Sequence, residues 1–549
     1  MIKKKFLIGL GSLLGTATIA GLIAAGYVTN DYSNSPYQYS SAPVSSSTSD
    51  LVQSYLSAAV GGSKLLYLAS YTHTTPLTSG LNISKSNNEA IYKYLGKTGY
   101  VLIDDQFGLP SYGSDNLMDL TKDQPIWSTN VAAVQFRADL GSFITGVAVG
   151  EFLNEYQSYF LDDGKLTWST YGALSYASVV SFMGGMQQGI NWFNENIVPK
   201  KDGYKEVEQV VLGTNTSQNF AGSFDVSAGN SIINELLVKN VDVIFPVAGP
   251  QIAQAVRLIR QSNKKTIIVG VDSAVEEDNS INLKLPVIPS NETIGYENKI
   301  VQFSSIKNIQ SIVNKVTQII NDPTVVDSAT DKTEWEGIGG IGYSSLGTVG
   351  NSGVGVSDEG KPYFVRAMKI YNGESTDIDL TDIDTLYKEA TSSIANLSEF
   401  TALNNDENKV YKVSSSNTYS YTSIVNDGFS MIPITGTNEE IASWYDTIYA
   451  DNETMLNLKT QNIALIEQWI SNNSAAINAR KSVKSNLVGE LKDIAWSKHH
   501  GVIKIMFQSP INILFDSSFL ESCYYGLRDY WLTISNGTIN LPLPAKALK

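Results

Sequence analysis

The stretch VDVIFPVAGPQIAQAVRLIRQSNKKTIIVGVDS (241–273) decides the fold. Two continuous apolar runs, VDVIFPVAG (241–249) and TIIVGVD (266–272), bracket an amphipathic segment, PQIAQAVRLIRQSN (250–263). An uninterrupted apolar strand is one buried on both faces, and a helix of this length is what a crossover between parallel strands requires. The same alternation extends in both directions. Upstream lie LLYLAS (65–70), YVLIDD (100–105), VAAVQF (131–136) and VEQVVLG (207–213), with helix-like GSFITGVAVGEFLNEY (141–156), SVVSFMGGMQQGINWFNEN (178–196) and SAGNSIINELLVKN (227–240) between them. Downstream, strand-like IVQF leads into KNIQSIVNKVTQIIND (307–322) and glycine-rich IGGIGYSSLGTVGNSGVGV (338–356). The pattern predicts an α/β fold of two doubly wound, parallel-sheet lobes.

The chain has 549 residues, 54 acidic and 39 basic, for a formal charge of −15. That balance excludes a nucleic-acid binder, which needs a basic surface against phosphate. A single cysteine excludes an internal disulfide framework and any cysteine-rich metal site, and three histidines leave little for a histidine centre. No GxGxxG after a first strand, GxxxxGK[ST], HExxH or GxSxG occurs. The reading is therefore a non-enzyme with no cofactor, no catalytic residue and no metal. His499-His500 reads as a solvated pair and Cys523 as a small buried hydrophobe.

At the front, Lys3, Lys4 and Lys5 precede an uncharged run from Phe6 to Val28. This is the pattern of an export signal, and it is also long enough to span a bilayer. Residues 1–28 are expected to be cleaved near Gly26 or kept as a membrane anchor, on the outer face of the cell membrane. Tyr27 stands where a lipid-bearing cysteine would be, so no lipid anchor is expected. A Ser-rich tether (29–50) follows. The expected divisions are a first lobe (51–165), a second lobe (166–299), segments completing both (300–398) and a mainly helical C-terminal extension (399–549). Within that extension, 439–473 and 475–498 read as helices, and 501–534 as an apolar stretch that packs rather than spans.

Polar residues gather where strands end. YVLI ends in Asp104-Asp105, VAAVQ in Phe136-Arg137-Ala138-Asp139, VDVIF in Pro246-Val247-Ala248-Gly249, TIIVGV in Asp272-Ser273, and IVQF leads to Lys307. Ligands of open α/β sheets sit beyond strand carboxyl ends. Carboxylates there can accept from a sugar diol, a lysine can donate, and aromatic faces can sandwich a flat base. Asp104, Asp139 and Asp272 serve equally well as caps of the following helices.

Taken in order, NVAAVQFRADLGSFITGVAVGEFL (130–153), GSFDVSAGNSIINELLVKNVDVIFPVAG (222–249), TIIVGVDS (266–273), IVQFSSIKNIQSIVNKV (300–316) and GTVGNSGVGVS (347–357) resemble the basic membrane protein family. YLASYTHTTPL (67–77) with GYVLIDD (99–105), and YGALSYASVVSFMGGMQQGINWFN (171–194), are similar to its neighbouring segments. These are the substrate-binding components of nucleoside ABC importers. The resemblance implies a type I periplasmic-binding fold, two lobes closing on a nucleoside, and purine nucleosides as favoured ligand. Partners would be permease subunits with a cytoplasmic ATPase. It also implies that Asp272 and Lys307 hold the sugar, and that Asp105 and Phe136 are cleft positions of the first lobe. Phe224, Phe245 and Gly249 fall on the second lobe's ligand wall. Members of the family open with a strand and a ligand loop of the type DxxSFNQ, whereas here only the tether stands at that place, with NDYSNSPYQ (30–38) a remnant. This departure and the long extension motivate a second reading, a ligand-free surface interaction or adhesion protein on the same scaffold.

Overall fold

The computed structural model describes residues 37–40, 47–69, 71–81, 94–105, 113–119, 130–212, 216–290, 292–314, 326–327, 332–333, 344–350, 352–394, 409–413, 419–423, 437–449, 452–475, 478 and 503–506. In chain order they form β1 (Tyr37–Ser40), α1 (Thr48–Val60), β2 (Leu65–Ala69), α2 (Thr74–Leu81), β3 (Gly99–Ile103), β4 (Val131–Phe136), α3 (Ala138–Glu155), β5 (Leu166–Gly172) and α4 (Ala177–Asn196). Next come β6 (Val207–Gln209), α5 (Asn230–Val238), β7 (Val243–Val247), α6 (Gln251–Ser262), β8 (Ile267–Asp272), β9 (Val301–Lys307), β10 (Val326–Asp327), β11 (Lys332–Thr333), β12 (Ser344–Gly347) and β13 (Val354–Val356). The chain ends with α7 (Lys361–Asn372), α8 (Ile383–Ile394), β14 (Lys409–Val413), β15 (Tyr419–Ser423), α9 (Asn438–Ile448), α10 (Lys459–Asn472) and β16 (Ile503–Met506).

Two compact units result: Met1–Ala133 with Asn314–Ser344 and Gln461–Lys549, and Val134–Val313 with Ser345–Thr460. The division falls inside β4 and inside β12. The mixed α/β class with parallel-rich sheets is as the alternation predicts, and helices occupy part of the C-terminal region.

The first unit's sheet runs β1-β16-β2-β3-β4-β12, with β1, β16, β2 and β3 mutually parallel. Strands β2 and β3 are buried on both faces, Leu65 to Leu68 and Tyr100 to Ile103 being wholly excluded from solvent. Helix α1 starts cleanly because Ser47 caps it, its hydroxyl accepting from the Asp50 amide.

The second unit's sheet runs β13-β9-β8-β7-β5-β6, parallel from β9 to β6 with β13 antiparallel on β9. Strand β5 lacks the continuous apolar run of its neighbours, yet all seven of its residues are buried. Its hydroxyls find partners: Thr167 donates to Asp242, Ser169 to the Val210 carbonyl and Thr170 to the Phe245 carbonyl. Helix α3 is buried nearly all round, as a helix without a polar face must be. It lies on α4 at backbone distance. A Cβ at Gly185 or Gly189 would collide with the carbonyl oxygens of Asp139 and Phe143, and one at Gly146 would come within 2.5 Å of the Met186 carbonyl.

The expected helix over 439–473 is three pieces, Asn438–Ile448, Glu453–Asn457 and Lys459–Asn472. Asn452 ends the first continuity by capping the next turn, its side chain accepting from the Met455 amide.

Candidate functional site

In the second unit, β5, β7, β8 and β9 present their carboxyl ends along one edge. Pro246 has no N–H to give a ladder, and the register of β7 with β8 runs Val243↔Ile267 and Ile244↔Ile268 and no further. β8 stays paired with β9 as far as Asp272↔Ile306, after an irregularity at Ile268/Val269. Past that point the two central strands are no longer paired.

Both residues sit in left-handed backbone, Gly249 at φ 52° and Asp272 at φ 71°. At Gly249 this conformation turns the chain from β7 into α6 at no steric cost. At Asp272 it is one that Asp and Asn tolerate better than other side chains. The carboxylate meets the ammonium of Lys307 at 2.8 Å, both side chains less than a tenth exposed. The contact is an ion pair without hydrogen-bond alignment, since Oδ1 of Asp272 has no hydrogen-bond partner. The Lys307 ammonium also lies 5.0 Å from the centre of the Phe182 ring, on α4. Phe182 in turn meets Phe245 edge-on at 6.4 Å. Phe245 is fully buried behind this layer.

The loop after β8 is fixed from below. Ser304 donates to the buried carboxyl of Glu276 at 2.6 Å, and the Val275 amide donates to the Ser304 hydroxyl. Burial pushes Glu276 up to about 7.

At the end of β5 the amides of Ala221 and Gly222 donate to the carbonyls of Gly172 and Ala173, holding the 220–224 loop along the edge. Phe224 in that loop is partly buried, 6.4 Å from Tyr176, an aromatic residue 48% exposed. Nearby, Tyr171 and Gln251 are buried with their Oη and Oε1 unpartnered, and Oδ1 of Asn230 is unpartnered as well. Phe136, at the end of β4, lies against Gly347.

In the first unit, Asp105 follows β3 and accepts from the Thr74 hydroxyl at 2.6 Å. Asp104 before it is left-handed, at φ 74°. Beside Thr74, fully buried His73 has its Nδ1 2.6 Å from the Tyr55 hydroxyl, and burial lowers its pKa to about 3. Its ring is neutral at any ordinary pH.

Asp272 and Lys307 thus come together. Phe245 meets Phe182, whose ring lies beside Lys307, while Phe136, Phe224 and Gly249 stand at other points along the strand ends. Phe182, Tyr171 and Gln251 escape a reading that looks only at strand ends, because they lie within helices or inside β5, and Tyr176 escapes it because it stands just before α4. Asp139 does not cap α3: it takes two hydrogen bonds from Arg137, at 2.9 and 2.7 Å. Among the described residues no group of three or more His, Cys, Asp or Glu could hold a metal. His499, His500 and Cys523 lie outside the described residues.

Residues 96–333 match the family model Bmp, ABC transporter substrate-binding protein PnrA-like. The resemblance to the basic membrane protein family holds over that segment, and the family is one of substrate-binding proteins. The chain is also similar to the uncharacterized lipoprotein MG040 homolog of Mycoplasma pneumoniae, at 29% identity over 57% of this chain and 54% of that protein. With the uncharacterized lipoprotein MG040 of Mycoplasma genitalium it shares 29% identity over 49% of this chain and 51% of that one. It therefore spans about half the length of these relatives. Among solved structures, an ABC transporter solute-binding protein from Aeropyrum pernix K1 shares 15% identity at a TM-score of 0.36, covering 65% of this chain and 78% of that one.

These relatives correct the expected localisation. Both are named lipoproteins, and a lipoprotein is held by acyl chains rather than by a helix of its own. The expectation of an N-terminal segment 1–28 that anchors or is cleaved, with no lipid on the chain, does not stand. Among the described residues no helix is long and apolar enough to cross a membrane.

Proposed function

We propose that this chain is the solute-binding component of an ABC importer and that its ligand is a nucleoside, purine nucleosides favoured. It would deliver the nucleoside to permease subunits driven by a cytoplasmic ATPase. The observation that supports this best is the buried Asp272–Lys307 pair at adjacent strand ends, within the segment that matches the substrate-binding family. A carboxylate beside an ammonium can accept from a ribose hydroxyl while the ammonium donates to the next. Such groups, desolvated before the ligand arrives, favour a sugar over water by saving the cost of ordering them. The Phe224–Tyr176 pair offers an aromatic face to a base. Asp105 is the matching candidate in the first unit. A net charge of −15 favours an uncharged nucleoside over a nucleotide.

Calorimetry with adenosine, guanosine, inosine, uridine, free ribose and AMP tests the reading. Heat is expected with purine nucleosides, less with uridine and little with AMP or ribose. Phe224→Ala should weaken the purine nucleosides without restoring ribose. If a folded chain gives no heat with any nucleoside, the proposal is wrong and the scaffold serves another ligand or none.

A further inference from the structure

Three elements of the second unit meet at one glycine. Tyr171 is the next-to-last residue of β5, Gly229 stands just before α5, and Gln251 is the first residue of α6. The backbone of Gly229 is right-handed, at φ −79°, so no left-handed turn demands a glycine there. Space explains it instead. A Cβ on Gly229 would collide with Oε1 of Gln251 and lie 2.8 Å from Oη of Tyr171. Both of those side chains are wholly excluded from solvent, and neither Oε1 nor Oη has a hydrogen-bond partner.

A buried polar atom without a partner is costly, and an apolar side chain of the same shape avoids the cost. The other end of Gln251 shows what its amide is kept for. Nε2 donates to the Ser223 carbonyl at 2.7 Å, and Ser223 is the residue before Phe224. The 220–224 loop is already tied to the end of β5 through the Ala221 and Gly222 amides. The glutamine adds a tie to a second element, two residues after the left-handed turn at Gly249. A glutamine side chain has several rotatable bonds. Confined between a tyrosine and a glycine, it has lost that freedom before any ligand arrives.

We propose that Gln251 is the positioning residue for Phe224: braced against Tyr171 and Gly229, its amide holds the Ser223 carbonyl and so fixes the ring that follows beside Tyr176. Phe224 is only partly buried and Tyr176 is 48% exposed, so this aromatic pair depends on the loop beneath it for its geometry. The role in ligand binding rests on the nucleoside reading above, whereas the tether does not.

Hydrogen exchange and calorimetry on the full chain test the two separately. Gln251→Met keeps the length of the side chain and removes the donor. In the unliganded chain it should speed exchange of the Ala221 and Gly222 amides about tenfold, the loss of one hydrogen bond, with the amides of β7 unchanged. Gly229→Ala should act the same way, because its methyl displaces the flexible glutamine more readily than the tyrosine ring, and it replaces the first variant if that one does not fold. Exchange at the parent rate in a folded variant overturns the proposal. Gln251→Met should also weaken a purine nucleoside, yet weaken it no further in a Phe224→Ala background, since the glutamine acts through that ring. Losses that simply add overturn the positioning role. A parent chain that binds no nucleoside refutes the nucleoside reading and the ligand role with it, and faster exchange in the variants then still supports the tether.

Discussion

Asp272→Asn is the most informative single change. Asparagine tolerates the left-handed backbone of this position as aspartate does, so only the charge is altered. Alanine would add about 1–2 kcal/mol of backbone strain and confuse the result. At 2.8 Å the gross attraction between the two charges is about 6 kcal/mol in an effective dielectric of about 20. Much of that is offset by taking both groups out of water, so the intact pair adds little net stability. Removing one partner is different, because the ammonium of Lys307 then stays buried without the charge of the carboxylate beside it. Such a loss costs about 3–5 kcal/mol. At roughly 2–4 °C per kcal/mol for a body of this size, the lower figure corresponds to a fall in Tm of roughly 6–12 °C. Circular dichroism melts at pH 7 measure it. Adding Lys307→Met should recover most of the loss, since an apolar side chain over Phe182 needs no counter-charge. A Tm within about 2 °C of the parent for Asp272→Asn would show that the pair is solvated and that the desolvation argument is wrong. Ligand affinity should fall more than tenfold in the same variant, in line with about 1.5–3 kcal/mol for a hydrogen bond to a charged group.

Two further outcomes follow from packing and burial. Gly185→Ala gains about 1 kcal/mol of helix propensity, but its methyl meets the Asp139 backbone rather than a flexible side chain. The separation of α3 and α4 should therefore dominate, with a net loss of about 1–3 kcal/mol in urea unfolding; a stabilised variant would refute the close approach. Burial raises Glu151, Asp242 and Glu276 to about 7. Such a carboxyl keeps its proton in the folded chain after the unfolded chain has lost it. The stability it contributes is complete below the ordinary carboxyl range and is lost as pH rises through about 7. The urea midpoint should fall from about pH 5 to about pH 7 and level off above it, and Glu276→Gln should flatten the decline; an equal slope in that variant would remove Glu276 from the account.

Much of the second unit was legible. The apolar runs at 241–249 and 266–272 are strands because a doubly covered sheet leaves them no polar face, and the segment between them is a helix. Strand β5 was not, because Thr167, Ser169 and Thr170 read as polar surface when only their partners on neighbouring strands make them buriable. The Asp272–Lys307 pair was legible as two strand ends, since adjacent parallel strands bring them side by side. The Phe182 ring over that lysine was not, because it comes from the middle of a helix. β16 was hidden for another reason: four residues inside a long apolar stretch carry no sign of which distant strands they will join.

That strand has a consequence for how the protein is made. Every strand of the second unit's sheet has been synthesised by Val356, so this unit can fold while the chain is still growing. The first unit has β1, β2 and β3 from the outset but cannot close its sheet until Ile503–Met506 leave the ribosome. Until then the slot between β1 and β2 stays open, with the apolar faces of Leu65 and Tyr67 beside it. Strand β1 must wait for a strand that lies far along the chain from it. A chaperone that handles this protein therefore meets a half-finished first unit until β16 has been made.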